Sequence, residues 1–299
     1  MITIIVTAWE EPEQIKETLR RITTQRNLKD NWEIIAIAPD KPTEEEITKY
    51  AKRFPNQISF FPQPRKKGKN EMLNFLIKKA KGDIIIFTDG DVYFNDIAVS
   101  EIVKAYKNPE IGAVTGRIIP QNSRSTMMGY WAHLLTHGAN KIRFQKSQKK
   151  EFLECSGYLY SIRKSLIDEI PLDVAEDSMM PLIIWKKGYK IAYVPKAIGE
   201  VLYPENLEKW FSQKVRCAKS HEKLDNYGGK KIRMKTFKNE VIKGTFWALK
   251  YPKTMRELYW TFLLFYARLR IWTNFYIDTR IKDEHYGETW TKVHGTKRL

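Results

Sequence analysis

Residues 84–94 read IIIFTDGDVYF, so an unbroken apolar run ends in two aspartates separated by one glycine. Carboxylates at the end of a buried strand need a cationic partner, because an isolated ionised carboxylate resists leaving water. Residues i and i+2 of an extended chain share a face, which lets Asp89 and Asp91 aim at one point. Gly90 between them carries no side chain and permits a ligand to come close. Two carboxylates and the oxygens of a diphosphate suit a hard divalent cation, Mn2+ or Mg2+. A plain acidic turn is the bland alternative, since Asp and Gly both favour turns.

Around this point the chain alternates strand and helix signals. Apolar runs at 2–8, 32–38, 58–62, 83–88 and 111–116 read as strands. Segments with helical spacing lie between them, as in EEPEQIKETLRRI and NEMLNFLIKKA. That alternation predicts βαβ units in an α/β fold with a mostly parallel, Rossmann-like sheet flanked by helices. The unbroken apolar runs agree, because parallel strands are covered on both faces. In such sheets ligands bind beyond the carboxyl ends of the strands, where Asp89 and Asp91 lie. After residue 120 the alternation stops. A further strand is expected in SGYLYSI and a helix then a strand over 177–195, and the chain from about 205 reads as helical, basic and aromatic.

The 299 residues are 42% hydrophobic and 29% charged, enough apolar content for a packed core. The formal net charge of +17 favours anionic partners. Residues 209–256 hold 14 Lys and Arg against three acids, so most of the excess sits in one stretch. Cys155 and Cys217 are far apart, which argues against a disulfide scaffold or zinc site and for reduced thiols in a cytoplasmic setting. The start, MITIIVTAWEEPEQ, has neither the basic opening nor the cleavage site of a secretory leader. The most apolar late segment, 258–272, reaches Arg268 after ten residues, too soon for a spanning helix. It reads either as core or as an amphipathic helix at a membrane surface.

Several pieces, in order, resemble the inverting, nucleotide-sugar-dependent family 2 glycosyltransferases of GT-A fold, over roughly residues 2–220. IIVTAWEEPEQIKETLRRI resembles the family's first strand, turn and helix, with Trp9-Glu10-Glu11 in place of its Tyr-Asn-Glu. KKGKNEMLNFLIKKAKGDIIIFTDGD resembles the helix leading to its Asp-x-Asp motif. IGAVTGRIIPQN, CSGYLYSIRKSLIDEIP and AEDSMMPLIIWKKGYKIAYVP follow in the family's order. QKVRC resembles its Gln-x-x-Arg-Trp motif, with Cys217 where the family has tryptophan.

The resemblance implies transfer of a hexosyl group from a nucleoside-diphosphate sugar, a UDP-sugar before a GDP-sugar, to a glycan or lipid-linked acceptor. Asp177 would be the general base, although Glu176 and Asp177 also suit a helix start. Asp91 would hold the metal, with Asp89 on the ribose or a metal water. Thr7, Ala8, Asp40, Lys69 and Gly90 would border the nucleotide. Gln213 and Arg216 would meet the diphosphate, and Ser156, Gly157 and Glu176 the acceptor side. The lack of a stacking ring at Cys217 implies single transfers rather than polymer extension. The expected organisation is a catalytic unit over 1–204, divided near residue 118 into nucleotide-sugar and acceptor halves. A helical extension over 205–299 would pack on it, and its basic, aromatic part would meet an anionic membrane surface.

Two other classes compete. A nucleotidyltransferase would want a glycine-rich loop after the first strand, which TAWEEPEQ lacks. A single-stranded nucleic-acid-binding protein would use the basic stretch and its interleaved aromatics. That reading ranks lower, because Asp89 and Asp91 would repel phosphates without a metal.

Overall fold

The computed structural model describes residues 1–26, 31–62, 68–229, 232, 234, 236–239 and 244–282. Strand β1 (Ile2–Thr7) leads into helix α1 (Pro12–Thr23), which opens on a proline and buries Ile15, Thr18, Leu19 and Ile22 at helical spacing. β2 (Trp32–Ala38) is buried at every position. Then come α2 (Lys41–Ala51), β3 (Ile58–Pro62), α3 (Lys69–Lys79), β4 (Ile84–Asp89), β5 (Tyr93–Phe94), α4 (Ala98–Ala105) and β6 (Ile111–Pro120). The second half contains α5 (Met127–Gln148), β7 (Tyr160–Arg163), α6 (Glu176–Lys186), β8 (Lys190–Val201) and α7 (Leu207–Glu222). A single turn, α8 (Phe237–Asn239), precedes α9 (Thr245–Leu249) and α10 (Met255–Tyr276). Residues 283–299 of the expected extension lie outside the described residues.

The eight strands form one sheet in the order β3-β2-β1-β4-β7-β6-β8-β5. β3, β2, β1 and β4 are parallel, as are β6 and β8. β7 runs antiparallel between β4 and β6, and β5 runs antiparallel on the edge beside β8. The sheet is thus mostly parallel, with antiparallel seams that apolar patterning alone cannot reveal. Strand alternation divides the core between its two faces. Ile5, Ile35, Ile37, Ile85 and Phe87 point to one side. Ile4, Val6, Ile34, Ala36 and Ile86 point to the other. Because β2 and β4 flank β1 on opposite sides, the strand order reverses there and a crevice opens at their carboxyl ends.

α5, a helix of 22 residues, falls where the sequence shows no helical signal. Its first turns are buried nearly all round, at Met128, Tyr130, Trp131 and Leu134, so no polar stripe marks it. α10 covers it, burying Leu264, Ala267 and Ile271 together with Trp131 and with Trp210 of α7. Arg124 clamps this layer with two bonds to Glu257, at 2.7 and 3.0 Å, and holds that carboxyl down at about 2. Among the described residues no helix is long and apolar enough to cross a membrane.

Candidate active site

Thr7 ends β1 and pairs in register with Asp89 at the end of β4. The Thr7 hydroxyl donates to Asp89 Oδ1 at 2.7 Å, and Gly90 N–H donates to Thr7 O at 2.8 Å. A side chain at Gly90 would sit 2.5 Å from Ala8 Cβ and 2.6 Å from Glu11 Oε2. Glycine is therefore demanded by the close approach of the β1 turn. Asp91 lies in a turn closed by Val92 N–H on Asp89 O. The extended-chain argument for a shared face of Asp89 and Asp91 does not hold here, though both stay at the strand end.

The turn after β1 is unusual. Glu10 has φ of +50°, a left-handed conformation that side chains seldom adopt. Asp40 stabilises it, since its Oδ1 accepts Glu10 N–H at 2.5 Å. The other oxygen of Asp40 caps α2 through the Thr43 amide and hydroxyl, at 3.1 and 2.7 Å. Asp40 thus reaches the crevice rim, but its carboxylate is engaged in holding two turns together. Ala8 N–H is likewise engaged with Ile37 O at 3.0 Å, so this amide is not open to a ligand as expected.

Lys69, at the start of α3, lies between two carboxylates. Its ammonium is 3.1 Å from Asp89 Oδ1 and 2.7 Å from Glu176 Oε1. Burial works against the ammonium, but the charges of Asp89 and Glu176 outweigh it and raise its pKa. Burial likewise pushes the Glu176 carboxyl up, and Lys69 outweighs that and holds it below the ordinary value. Arg216 on α7 adds to the effect, which places its charge within reach of this cluster. Lys69 thus ties the two carboxylates together at the end of the sheet.

Glu176 and Asp177 open α6, where acids suit the helix dipole, as the helix-start reading expects. Asp177 Oδ2 accepts Gly157 N–H at 3.0 Å, and its main-chain carbonyl accepts Cys155 N–H at 3.2 Å. A Cβ at position 157 would stand 3.3 Å from Asp177 Oδ2. Ser156 is fixed in turn by its amide on Thr115 Oγ1 at 3.0 Å. The Ser-Gly segment and the carboxylate are therefore one unit.

Gln213 and Arg216 lie one helical turn apart on α7. Gln213 Oε1 is buried without a hydrogen-bond partner among the described residues, as is the hydroxyl of Tyr160 on β7. Such orphans mark places where a ligand can supply the missing bond. Burial raises the Tyr160 hydroxyl, as do the charges of Glu176, Asp177 and Asp89, so it belongs to the same cluster. Nothing in the sequence distinguishes it from a core tyrosine in a strand. The sequence also gave no sign of the buried pair behind Asp177. His221 Nδ1 is 2.9 Å from Glu154 Oε2 and 3.2 Å from Ser178 Oγ, so this histidine is a packing partner.

No group of three or more His, Cys, Asp or Glu among the described residues forms a metal cage. Asp89 and Asp91 offer hard oxygen donors but not a full shell, so a cation there would need ligands from substrate and water. That fits Mg2+ or Mn2+ bound with a diphosphate better than a resident structural metal.

A mostly parallel sheet with this strand order and a carboxylate pair at its crevice is the GT-A arrangement. Residues 3–170 match the family model described as Glycosyl transferase family 2, and the chain belongs to that family. Among curated relatives, an N-acetylglucosaminyltransferase of Rhizobium meliloti (strain 1021) is 28% identical over 182 residues, 55% of this chain and 42% of the relative. The probable glycosyltransferase YdaM of Bacillus subtilis (strain 168) is 25% identical over 74% of this chain and 55% of its own length. The chain spans about half the length of such relatives. Among solved structures, the mannosyltransferase PcManGT of Pyrobaculum calidifontis, in complex with GDP-Man and Mn2+, superposes with a TM-score of 0.62. It is 18% identical, with 93% of this chain and 80% of that one covered. GalNAc-T7 with UDP, GalNAc and Mn2+ gives 0.50 at 18% identity, over 68% and 43% of the two chains.

Proposed function

We propose that the protein is an inverting glycosyltransferase of hexosyl type. It moves a sugar from a nucleoside-diphosphate donor to an acceptor hydroxyl, with Asp177 as general base. The observation that carries this reading is Asp177 held by Gly157 at the opening of α6, beside the Asp89–Lys69–Glu176 cluster of the strand ends. In the step, the acceptor oxygen bonds to the anomeric carbon while its proton passes to the Asp177 carboxylate. The bond from that carbon to the diphosphate breaks on the opposite face, and the electron pair leaves with the diphosphate. Arg216 suits the growing negative charge through its planar fork of donors, and Gln213 orients the same group. Asp91, with Asp89, would hold Mn2+ or Mg2+, which supplies Lewis-acid neutralisation of the leaving diphosphate.

The donor we favour is a UDP-sugar, with a GDP-sugar as the alternative; solved neighbours of the two kinds carry UDP and GDP-Man. Thr7, Ala8, Asp40, Lys69 and Gly90 border the nucleotide in this reading. Ser156, Gly157 and Glu176 face the acceptor, a glycan or a lipid-linked sugar. Cys217 beside Arg216 offers no ring for a growing chain to stack on, so the transfer is single. Residues 1–204 carry the catalytic unit, and the extension from 205 lends it Gln213 and Arg216.

Thermal unfolding with UDP, GDP, CDP and dTDP, each with Mn2+ or with chelator, tests the reading. A ligand of the folded state stabilises by roughly 2.7 kcal/mol at a hundred times its Kd. We expect one nucleotide to raise the midpoint in a metal-dependent way, and Asp91→Asn to remove the metal dependence. No shift with any of the four overturns the donor site.

A further inference from the structure

A surface helix normally turns its polar side outward, and α10 does the reverse. Met255, Tyr259, Phe262, Tyr266, Leu269 and Tyr276 follow one another at steps of three, four or seven residues, and all are exposed. Met255 is 80% exposed and Tyr266 is 68%. The opposite face, with Leu264, Ala267 and Ile271, is already buried against α5 and α7. The helix is therefore apolar on both sides, and only one side has a partner among the described residues. Phe246 and Trp247 of the neighbouring α9 are exposed as well. An exposed apolar stripe about 33 Å long, at 1.5 Å per residue, is a surface built for contact.

The charges around the stripe decide what it contacts. Between Gly244 and Lys282 the only acids are Glu257 and Asp278. Both are engaged in ion pairs, with Arg124 and Lys219. Lys250, Arg256 and Arg270 lie over the rings of Phe246, Trp260 and Phe211, at 4.1, 4.9 and 5.3 Å, a cation-on-ring layout. A second copy of the chain would bring the same cations face to face without acids to answer them, which opposes association. A nucleic acid would find rings to stack on, but Met255 and Leu269 would gain nothing from it. Aromatic rings and aliphatic side chains edged by Lys and Arg match the boundary of an anionic bilayer, where Tyr and Trp settle at headgroup depth and cations meet lipid phosphate.

We propose that the outer face of α10 lies flat on an anionic lipid surface and seats the protein there without crossing it. The buried face of the same helix packs on α7, which carries Gln213 and Arg216, so the seat lies one helix layer from the proposed site. The proposal does not depend on which sugar is transferred.

The test is flotation of the purified full chain with vesicles of phosphatidylcholine alone or mixed with phosphatidylglycerol, at low and at raised salt. The chain is expected to float with the mixed vesicles at low salt and to be released by salt. Phe262→Ser/Tyr266→Ser/Leu269→Ser is expected to lower the partition at least about tenfold, through loss of buried apolar area. Arg256→Gln/Arg270→Gln, which leaves the stripe intact, is expected to weaken binding and flatten its salt dependence. Far-ultraviolet circular dichroism and the unfolding midpoint of each variant show separately whether it has folded. The proposal is overturned if the wild type does not float at low salt, or if both variants float as well as it does. It is also overturned if the stripe variant instead abolishes a concentration-dependent dimer or binding to a single-stranded oligonucleotide.

Discussion

The main-chain carbonyl of Asp177 accepts the amide of Cys155 at 3.2 Å. Pro181, four residues further along α6, is what leaves that carbonyl available, because proline has no N–H to close the helical bond. A proline inside a helix is locally costly, yet here it docks the 155–157 segment on the proposed base. Pro181→Ala restores a competing donor for the Asp177 carbonyl. The expected result is an unfolding midpoint equal to or above the wild type, with kcat lowered about three- to tenfold through misplacement of the carboxylate. A proline with only a structural role would leave kcat alone or lower stability and activity together. Steady-state kinetics beside thermal unfolding separate these cases.

Asp177→Asn keeps the shape of the side chain and an oxygen for Gly157 N–H. It removes the ability to take a proton. We expect kcat to fall about 10²- to 10⁴-fold, the usual worth of a positioned base. Stabilisation by the nucleoside diphosphate should survive, because the proposed nucleotide site is at the β1 and β4 ends. Full activity in this variant would exclude Asp177 as the base.

Lys69 and Glu176 give a pH signature. Glu176 titrates in the folded protein below its ordinary value of 4.5, so the stability it contributes is present above that value and is lost as pH falls through the lower folded one. Lys69 is raised above 10.5, so its contribution is full below that value and is lost only as pH rises beyond it. Lys69→Met leaves Glu176 buried without its closest cation, and its pKa should then rise. The variant should lose about 1–3 kcal/mol near neutral pH, less than a fully buried pair would, and lose less at pH 4. Parallel wild-type and variant curves of unfolding midpoint against pH would refute the tie.

The α/β class was legible because β1, β2 and β4 are apolar at nearly every position, as strands covered on both faces must be. The placing of Asp89, Asp91 and Asp177 was legible too, since strand ends and helix starts carry local signals. Strand direction was not. Nothing in SGYLYSI says that β7 runs against β4, because side-chain alternation is the same either way. α5 was hidden by its own burial. The hold of Asp40 on Glu10 and of Lys69 on two carboxylates was hidden for another reason: a charged group that meets a neighbour and one that meets a ligand look alike in sequence. Tyr160 and Glu154 depend wholly on tertiary contacts and left no pattern to read.

Glu154 and His221 lie deep between the Ser-Gly segment and the end of α7. Glu154 Oε1 accepts Met234 N–H at 2.5 Å, and Oε2 faces His221 Nδ1 at 2.9 Å. Ser178 links this pair to the proposed base, with its hydroxyl 3.2 Å from His221 Nδ1 and 3.4 Å from Asp177 Oδ1. The end of α7 and Met234 are thus joined to the Ser-Gly segment through buried polar groups as well as through packing. Glu154→Leu strands the Met234 N–H, at about 1–3 kcal/mol, and takes the carboxylate from beside His221. His221→Leu in the same chain should recover part of the loss, because it removes the buried ring left without that carboxylate. Denaturant unfolding of the two single variants and the double variant measures that coupling, expected at about 0.5–3 kcal/mol for groups in contact. Strict additivity would mean that the two residues stabilise the protein separately and that no bonded path joins α7 to Asp177.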